Sequence, residues 1–322
     1  MTHISPSSSS ISSSSSALIR NALALTAGLV LSALASCALP ADAPLTFEEF
    51  VAEHVTPRAP GSGEYLIGED LILRGEDELY EAYEEFLVRY EAGLAQDEHG
   101  HGDHGHDEIG SSQQALVIKN RSSGGYRVWN DKMNITFCVD AAFGLRFPIV
   151  LGNMFAATAD WEEALQNNVR FVYVHHNQAS CYEGATDLIT GETIDIAVIP
   201  DFTNSSSSCA RATYPSSSGS YIEIDVDNMG LDGSIDCAGT WRGYLRHEVG
   251  HTLGFMHEFS VDANGDKQCQ VQNTGGTQLS PFDPFSSMTY PSCSGLGDYF
   301  ISPYDAAYGL CAYSDDPPPF CP

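Results

Sequence analysis

One short segment, HEVGHTLGFMHE, combines three histidines and a glutamate at spacings that suit a hydrolytic metal site. On a helix, His247 and His251 lie one turn apart on the same face, so both imidazoles can bind one Zn²⁺. Glu248 is close enough to deprotonate a water molecule there without being a ligand itself. Gly254 lets the chain leave the helix with a positive φ and bring His257 back as a third ligand. Three protein ligands leave a fourth position open for water, which distinguishes a catalytic zinc from a structural one.

The alternative is a helix that merely carries surface histidines. Five specified positions rarely coincide by chance in a chain of 322 residues. The sequence therefore predicts one Zn²⁺ per chain, held by the three histidines.

This segment resembles the zinc signature of the metzincin metallopeptidases. Glu258, which follows the third histidine, narrows the resemblance to the astacin-like branch or a related family of bacterial secreted metzincins. Downstream, residues 280–290 resemble the astacin Met-turn. The resemblance implies that Met288 forms an apolar floor beneath the metal, and that the Tyr290 phenol binds the metal at rest and then stabilises the oxyanion. The alternative is that Met288 and Tyr290 are core residues of an ordinary turn.

The resemblance covers about residues 112–313 and implies an α/β (α+β) fold. The expected fold is a metzincin-type catalytic domain with a mixed twisted sheet, a zinc helix and a Met-turn. A small helical N-terminal pro-region precedes this domain. Residue patterns predict a helix at about 148–165, and strands at 135–139, 169–174, 194–200 and 221–226. The family resemblance adds a helix at 301–310.

The strand at 221–226 alternates apolar and acidic residues, which predicts one solvent-exposed face. By the resemblance this strand lies at the edge of the cleft, where an extended peptide can add by backbone hydrogen bonds. Its exposed face and its edge position are both expectations that a structure can test.

The charge of the chain excludes one large class of partners. Fourteen basic residues stand against forty-three acidic ones, for a net charge of −29. Binding to nucleic acid phosphates needs the opposite sign, so nucleic acid is not an expected partner.

The N-terminus has the pattern of an export signal. Residues 22–36 are apolar and small, and too few to form a permanent membrane span. They end in Leu-Ala-Ser-Cys, which resembles a bacterial lipobox, so Cys37 is the candidate lipid acceptor and residues 1–37 the signal peptide. A plain secretory signal is the alternative, because Arg20 is the one clear positive charge of the leader. Both interpretations place the mature protein outside the cytoplasm, with a membrane partner only through the lipid.

The cysteine count agrees with an oxidising compartment. The chain has nine cysteines, and setting Cys37 aside leaves eight, enough for four disulfides. Eight cysteines allow about 105 pairings, so spacing alone does not fix them. The astacin-like resemblance implies one pair, Cys209 with Cys237.

Residues 38–96 form an acidic N-terminal region, 97–110 a linker rich in His, Gly and Asp, and 111–322 the predicted peptidase domain. Nineteen acidic and three basic residues occupy 38–110. Thr46 and Glu49 form a capping-box pattern that predicts a helix to about residue 55, and helical spacing predicts a second helix at about 76–94.

A segment between these two helices loosely resembles the part of astacin-like zymogens that lays an aspartate on the zinc. Asp70, or its neighbour Glu69, is therefore the candidate latency switch. The alternative is an exposed acidic turn. The linker at 97–110 has the composition of a disordered segment and lies where an activation cleavage would fall; its four histidines either gather metal or belong to a solvated hinge.

Together these features predict an exported zinc-dependent endopeptidase that acts on proteins or peptides. The alternative from another class is a catalytically silent, zinc-stabilised peptide-binding module outside the cell. A third interpretation keeps residues 38–110 as a permanent inhibitory or partner-binding domain. Cleavage specificity depends on loop shapes that the sequence does not fix.

Overall fold

The computed structural model describes residues 46–58, 62–67, 71–84, 87, 116–174, 181–187, 190–203, 209–230, 234–235, 237, 239–257, 276–281, 283, 285–289 and 299–322. Within these residues the chain has a mixed α/β fold with five α-helices and two sheets. The helices are α1 (Phe47–His54), α2 (residues 75–84), α3 (Phe147–Ala164), α4 (Trp241–Thr252) and α5 (Pro303–Tyr313).

Eleven strands make up the two sheets of the described part. They are β1 (Val55–Pro57), β2 (Glu64–Ile67), β3 (Leu71–Arg74), β4 (Val117–Lys119), β5 (Ile135–Val139), β6 (Phe171–Tyr173), β7 (Ile196–Asp201), β8 (Ala210–Ala212), β9 (Ser220–Asp225), β10 (Phe255–Met256) and β11 (Gly276–Gln278). The larger sheet is mixed and has the order β1-β2-β3-β8-β9-β7-β5-β6, and the smaller one has the order β10-β4-β11.

The predicted strands at 135–139, 169–174, 194–200 and 221–226 are confirmed as β5, β6, β7 and β9, and the two helices predicted beside them are α3 and α5. Strands β5, β6, β7 and β9 pair in parallel, whereas β8 runs antiparallel to β9. A parallel connection needs a crossover, and α3 provides the one between β5 and β6.

Helix α3 packs against α4, and both helices contact strands of the larger sheet. By length and composition, the stretch Ala141–Ala164 could cross a membrane. Here its apolar face is buried in the core, with Met154 and Trp161 fully covered. The indole N–H of Trp161 donates to the carbonyl of Arg246 in α4 at 2.8 Å. The Arg246 guanidinium in turn binds the Asp160 carboxylate at 2.8 Å, so α3 fixes the position of α4.

Three disulfides are present among the described residues, and they indicate an oxidising, extracytoplasmic environment. The predicted pair Cys209–Cys237 is confirmed. The other two join Cys138 to Cys181 and Cys311 to Cys321. Cys37, Cys269 and Cys293 lie outside the described residues.

The expectation that β9 exposes an acidic face is wrong. All six residues of β9 are buried, Glu223 and Asp225 included. The acidic face is covered because the guanidinium of Arg211 donates to Glu223 at 2.8 Å and that of Arg58 donates to the same carboxylate at 2.5 Å. The implied edge position is also wrong, since β9 pairs with β7 on one side and with β8 on the other.

Residues 46–84, here called the N-terminal segment, join the same sheet. The capping box of Thr46 and Glu49 begins α1 as predicted, and residues 75–84 confirm the start of the second predicted helix. Strands β1 to β3 lie between these two helices, in a segment for which the sequence predicted helices alone. Strand β3 pairs in parallel with β8, with Leu71 opposite Ala212.

The N-terminal segment also shares an apolar core with the rest of the chain. One buried cluster contains Leu71 and Leu73 of β3 together with Val117, Tyr214 and Met256. Phe50, Leu79 and Ala82 complete it. Burial of each large aliphatic side chain contributes about 1.5–3 kcal/mol, so the N-terminal segment is held by its apolar face as well as by its strands.

Candidate metal centre

Helix α4 carries the first two histidines and ends at a glycine that redirects the chain. The Thr240 hydroxyl caps its N-terminus by accepting from the Gly243 amide at 3.1 Å. Gly254 has φ +93°, which confirms the predicted positive φ. A Cβ at Gly254 would lie closer than 3.0 Å to the carbonyl oxygen of Arg127, so a side chain is excluded there. The chain then enters β10 and reaches His257.

The three histidine side chains converge as predicted. The Nε2 atom of His257 lies 3.2 Å from that of His247 and 2.9 Å from that of His251. All three residues are buried, and their candidate ligand atoms lie within 4.8 Å of one another. Because the three side chains are buried, an ion bound to them would lie inside the protein, with the three imidazoles as its ligands.

Hydrogen bonds to carbonyl groups orient two of the rings. His247 Nδ1 lies 2.6 Å from the carbonyl oxygen of Ser287, and His251 Nδ1 lies 2.8 Å from that of Phe255. Since a carbonyl oxygen only accepts, each Nδ1 carries the proton. In the neutral ring, Nε2 then presents its lone pair toward the other histidines.

This arrangement fits a zinc ion. Nitrogen ligands about 2.0–2.1 Å from a tetrahedral zinc lie about 3.3 Å from one another, close to the two Nε2 separations given above. The Nε2 lone pairs of His247 and His251 both face Nε2 of His257, so a cation between the three rings could take one nitrogen from each. Neutral imidazoles are ligands that Zn²⁺ commonly takes in proteins.

Two aromatic rings border the cluster, and the sequence did not single out either of them. The ring of Tyr299 lies 4.7 Å from that of His247, centroid to centroid. The ring of Tyr214 lies 5.9 Å from that of His251 in an edge-on contact. Both tyrosines are distant from the zinc signature in sequence, so only the fold reveals their position.

Met288 packs beneath α4. Its side chain is fully buried, and a Cβ placed on Gly250 of α4 would lie closer than 3.0 Å to the Met288 sulfur. The neighbouring residue, Ser287, supplies the carbonyl that accepts from His247. The turn at 286–289 thus contacts α4 through the methionine side chain and His247 through a backbone carbonyl.

Asp305 fixes that turn, and it is a residue that the sequence reasoning missed. Its fully buried carboxylate accepts from the Ser286 hydroxyl at 2.7 Å, the Ser287 amide at 2.8 Å and the Ser302 amide at 2.9 Å. Burial raises the pKa of Asp305 to about 6, although these hydrogen bonds oppose the shift. The available signal was the capping box of α5, in which Ser302 and Asp305 cap each other.

The remaining predicted site residues divide into two groups. Glu248 is 1% exposed, so α4 holds a carboxylate in the interior beside the first histidine. Tyr290, Glu258, Asp70 and its neighbour Glu69, and the candidate lipid acceptor Cys37 lie outside the described residues. The histidine-rich linker at 97–110 lies outside them as well.

No model of a known protein family matches the chain, and no curated protein matches it either. The functional interpretation therefore depends on the residues and their geometry.

Proposed function

We propose that the chain is an exported zinc-dependent endopeptidase of the metzincin type, astacin-like or from a related bacterial family. The observation that carries this proposal is the buried convergence of His247, His251 and His257 beside the buried carboxylate of Glu248. A structural metal site has no use for an additional buried carboxylate, because burial of an ionised group is costly. A hydrolase needs that carboxylate as a base.

The proposed reaction is hydrolysis of a peptide bond. When bound, zinc lowers the pKa of a water molecule and polarises the scissile carbonyl. Glu248 takes the proton from the water, whose oxygen forms the new bond to the carbonyl carbon. The C–N bond then breaks, and Glu248 delivers the proton to the departing amine. Tyr290 donates its phenol hydrogen to the oxyanion, in the role that the family resemblance implies.

The edge of β8 is the proposed binding surface for an extended substrate. Strand β8 pairs with β9 on one side, and its other side is taken by β3 of the N-terminal segment. Backbone groups at such an edge can pair with an incoming peptide once β3 has left. We therefore propose that the protein is latent while the N-terminal segment occupies this edge.

Two details support the latency proposal. Leu71 directly follows Asp70 and belongs to the apolar cluster that contains Tyr214 and Met256. Tyr214 contacts the ring of His251, and Met256 precedes His257. Because Asp70 directly precedes Leu71 in the chain, we propose that its carboxylate takes the water position in the latent protein.

The disulfides support export, and the lipobox-like segment supports a lipid anchor at Cys37. Labelling with a radioactive or clickable fatty acid tests the anchor: label should appear in the wild type and disappear in Cys37→Ala.

The decisive experiment compares the full chain with its Glu248→Gln variant after limited proteolysis with immobilised trypsin. The zinc content is measured by mass spectrometry, and the proteolytic activity is measured with a denatured protein substrate. Each measurement is made with and without a chelator. We expect one zinc in both proteins, and cleavage that is lost on chelation and reduced at least about 100-fold in Glu248→Gln. The matched control is Glu163→Gln, a change of an exposed carboxylate on α3 that should leave cleavage unchanged.

Two results would contradict the proposal. Bound zinc without cleavage in the trypsin-treated wild type favours the zinc-stabilised binding module. Cleavage that survives both chelation and the Glu248→Gln change assigns the activity to another site or to a contaminant.

A further inference from the structure

Arg74, at the end of β3, lies in a recess built by residues of the peptidase part. Its guanidinium binds the Glu183 carboxylate at 3.0 Å and lies over the ring of Tyr221, 4.7 Å from the centroid. It also donates to the Gly219 carbonyl at 3.3 Å and to the hydroxyls of Ser218 and Thr213, both at 3.4 Å. A carboxylate, an aromatic face and a carbonyl thus surround one cation.

Two glycines bring the walls of this recess together. Gly219 has φ +99°, and a Cβ there would lie 2.8 Å from the Cβ of Glu183. Gly184 has φ +72°, and a Cβ there would lie 2.9 Å from the carbonyl oxygen of Ser218. The disulfide of Cys181 with Cys138 anchors the same loop two residues before Glu183. The walls formed by Glu183 and Gly219 are therefore fixed by residues outside the N-terminal segment, whereas the Tyr221 hydroxyl also donates to Glu64 at 2.9 Å and accepts from Arg58 at 3.0 Å.

The recess is next to the metal centre along the chain. Thr213, which receives a hydrogen bond from Arg74, directly follows β8. The next residue is Tyr214, whose ring contacts that of His251. A peptide paired with the free edge of β8 therefore passes the recess.

We propose that this recess is an arginine-binding subsite for extended peptides, and that Arg74 occupies it in the full-length chain as a substrate side chain would. This inference rests on the proposed function, because it names the substrate class of the same cleft. Glu183 supplies the charge, and Tyr221 supplies the flat face on which a guanidinium stacks. Peptides with arginine at the matching position are the expected substrates.

The contacts are typical of an exchangeable subsite. The side chains of Arg74 and Glu183 are 20% and 26% exposed, so water and ligands reach both groups. By contrast, the Arg211 side chain, which binds Asp201 and Glu223 inside the sheet, is 4% exposed. A purely structural ion pair would resemble the second arrangement more than the first.

The first test uses the full chain with Arg74→Ala, which removes the resident side chain. Nα-acetyl-arginine amide and its uncharged analogue Nα-acetyl-citrulline amide are titrated and followed by ligand-observed NMR. We expect the variant to bind the arginine probe at least about tenfold more tightly than the citrulline probe, and at least about tenfold more tightly than the wild type does. Adding Glu183→Gln should remove the preference, whereas adding Glu163→Gln should retain it.

The proposal is overturned if Arg74→Ala binds both probes equally, or if Glu183→Gln leaves the preference for arginine intact. Circular dichroism shows whether Arg74→Ala is folded. If it is not, a second measurement decides the question, because it keeps Arg74 in place until proteolysis.

In that second measurement, the wild type and Glu183→Gln are treated with immobilised trypsin, and the trypsin is then removed. Each protein is given two peptides that are identical except that one has arginine where the other has citrulline. The ratio of kcat/KM should exceed about tenfold in the wild type and fall toward one in the variant. Equal ratios in the two proteins would overturn the subsite. If no peptide is cleaved by either protein, the peptidase proposal fails, and titration of the arginine and citrulline probes into the same two trypsin-treated proteins decides on the subsite: a preference for arginine that Glu183→Gln removes supports it, and equal binding overturns it.

Discussion

Replacement of Gly250 by alanine tests how tightly the turn at 286–289 is packed against α4. Within a helix, alanine is favoured over glycine by about 1 kcal/mol. At this position, however, a Cβ would lie closer than 3.0 Å to the Met288 sulfur and 3.1 Å from Cζ2 of Trp161. Both of these side chains are fully buried, so neither can move into solvent to make room.

The two effects have opposite signs, and the steric one should dominate. An added methyl group in a well-packed core costs about 1–3 kcal/mol. After subtraction of the helical preference, Gly250→Ala should lower the free energy of unfolding by up to about 2 kcal/mol. Displacement of Met288 also moves Ser287, whose carbonyl orients His247. Loss of such an orienting contact lowers metal affinity about 10–100-fold, so zinc binding should weaken as well.

Urea denaturation of the chelator-treated protein measures the stability, and competition with a zinc-sensitive dye measures the affinity. The matched control is Gly152→Ala on α3, where a Cβ would meet no atom within 4 Å. That control should stabilise the protein by up to about 1 kcal/mol. In a double-mutant cycle, Met288→Ala should remove most of the cost of Gly250→Ala. The reasoning is refuted if Gly250→Ala stabilises the protein as much as the control does.

Four further outcomes are expected. Asp305→Ala should lower the free energy of unfolding, measured by urea denaturation, by about 3 kcal/mol or more, because three buried donors lose their acceptor. Asp305→Asn retains an acceptor and should lower it clearly less. Equal losses of stability in the two variants would contradict this explanation. Burial raises the pKa of Asp305 to about 6, so the folded state binds one more proton than the unfolded state between about pH 4 and 6. As the pH rises through that window, the free energy of unfolding of the wild type should fall relative to that of Asp305→Asn by up to about 3 kcal/mol. Parallel plots of the two free energies against pH would show that the carboxyl is ionised throughout. Replacing Cys209 and Cys237 by serine opens a cross-link of sequence separation 28 and should cost about 3 kcal/mol, measured as a lower Tm. A chelator should lower the Tm of the wild type, because the ion binds the folded state, and should have no such effect on His257→Ala.

The metal centre was predictable from sequence because its information is local. His247 and His251 are related by one turn of a single helix, and the return of His257 depends on one glycine with positive φ. Such short-range geometry follows from helix periodicity and from backbone sterics. The support of Met288 by Asp305 was not predictable in the same way, because its hydrogen bonds join segments that the sequence separates by many residues.

The strands of the N-terminal segment show a different limit. Leu71, Ile72 and Leu73 form a continuous apolar run, and such a run fits a buried strand or a buried helix equally well. The structure resolves the ambiguity through pairing with β8, a partner that is remote in sequence. Successive residues then face opposite sides of the sheet, so Leu71 and Leu73 enter one apolar cluster and Ile72 another.

The error on β9 has the same origin and leads back to function. Alternating acids normally indicate a solvated face, but Glu223 is neutralised by Arg58, which is 165 positions away in the chain. Residues 38–110 contain three basic residues against nineteen acidic ones, and two of the three, Arg58 and Arg74, bind carboxylates of residues 111–322, namely Glu223 and Glu183. In a chain of net charge −29, the excess of acidic residues in the N-terminal segment contributes no net attraction to the rest of the chain. Its attachment therefore depends on apolar burial, on these two arginines and on the ion pair of Glu78 with Arg127. Of the carboxylates that bind the two arginines, the partly exposed Glu183 is the one through which we propose that the cleft selects a cationic peptide.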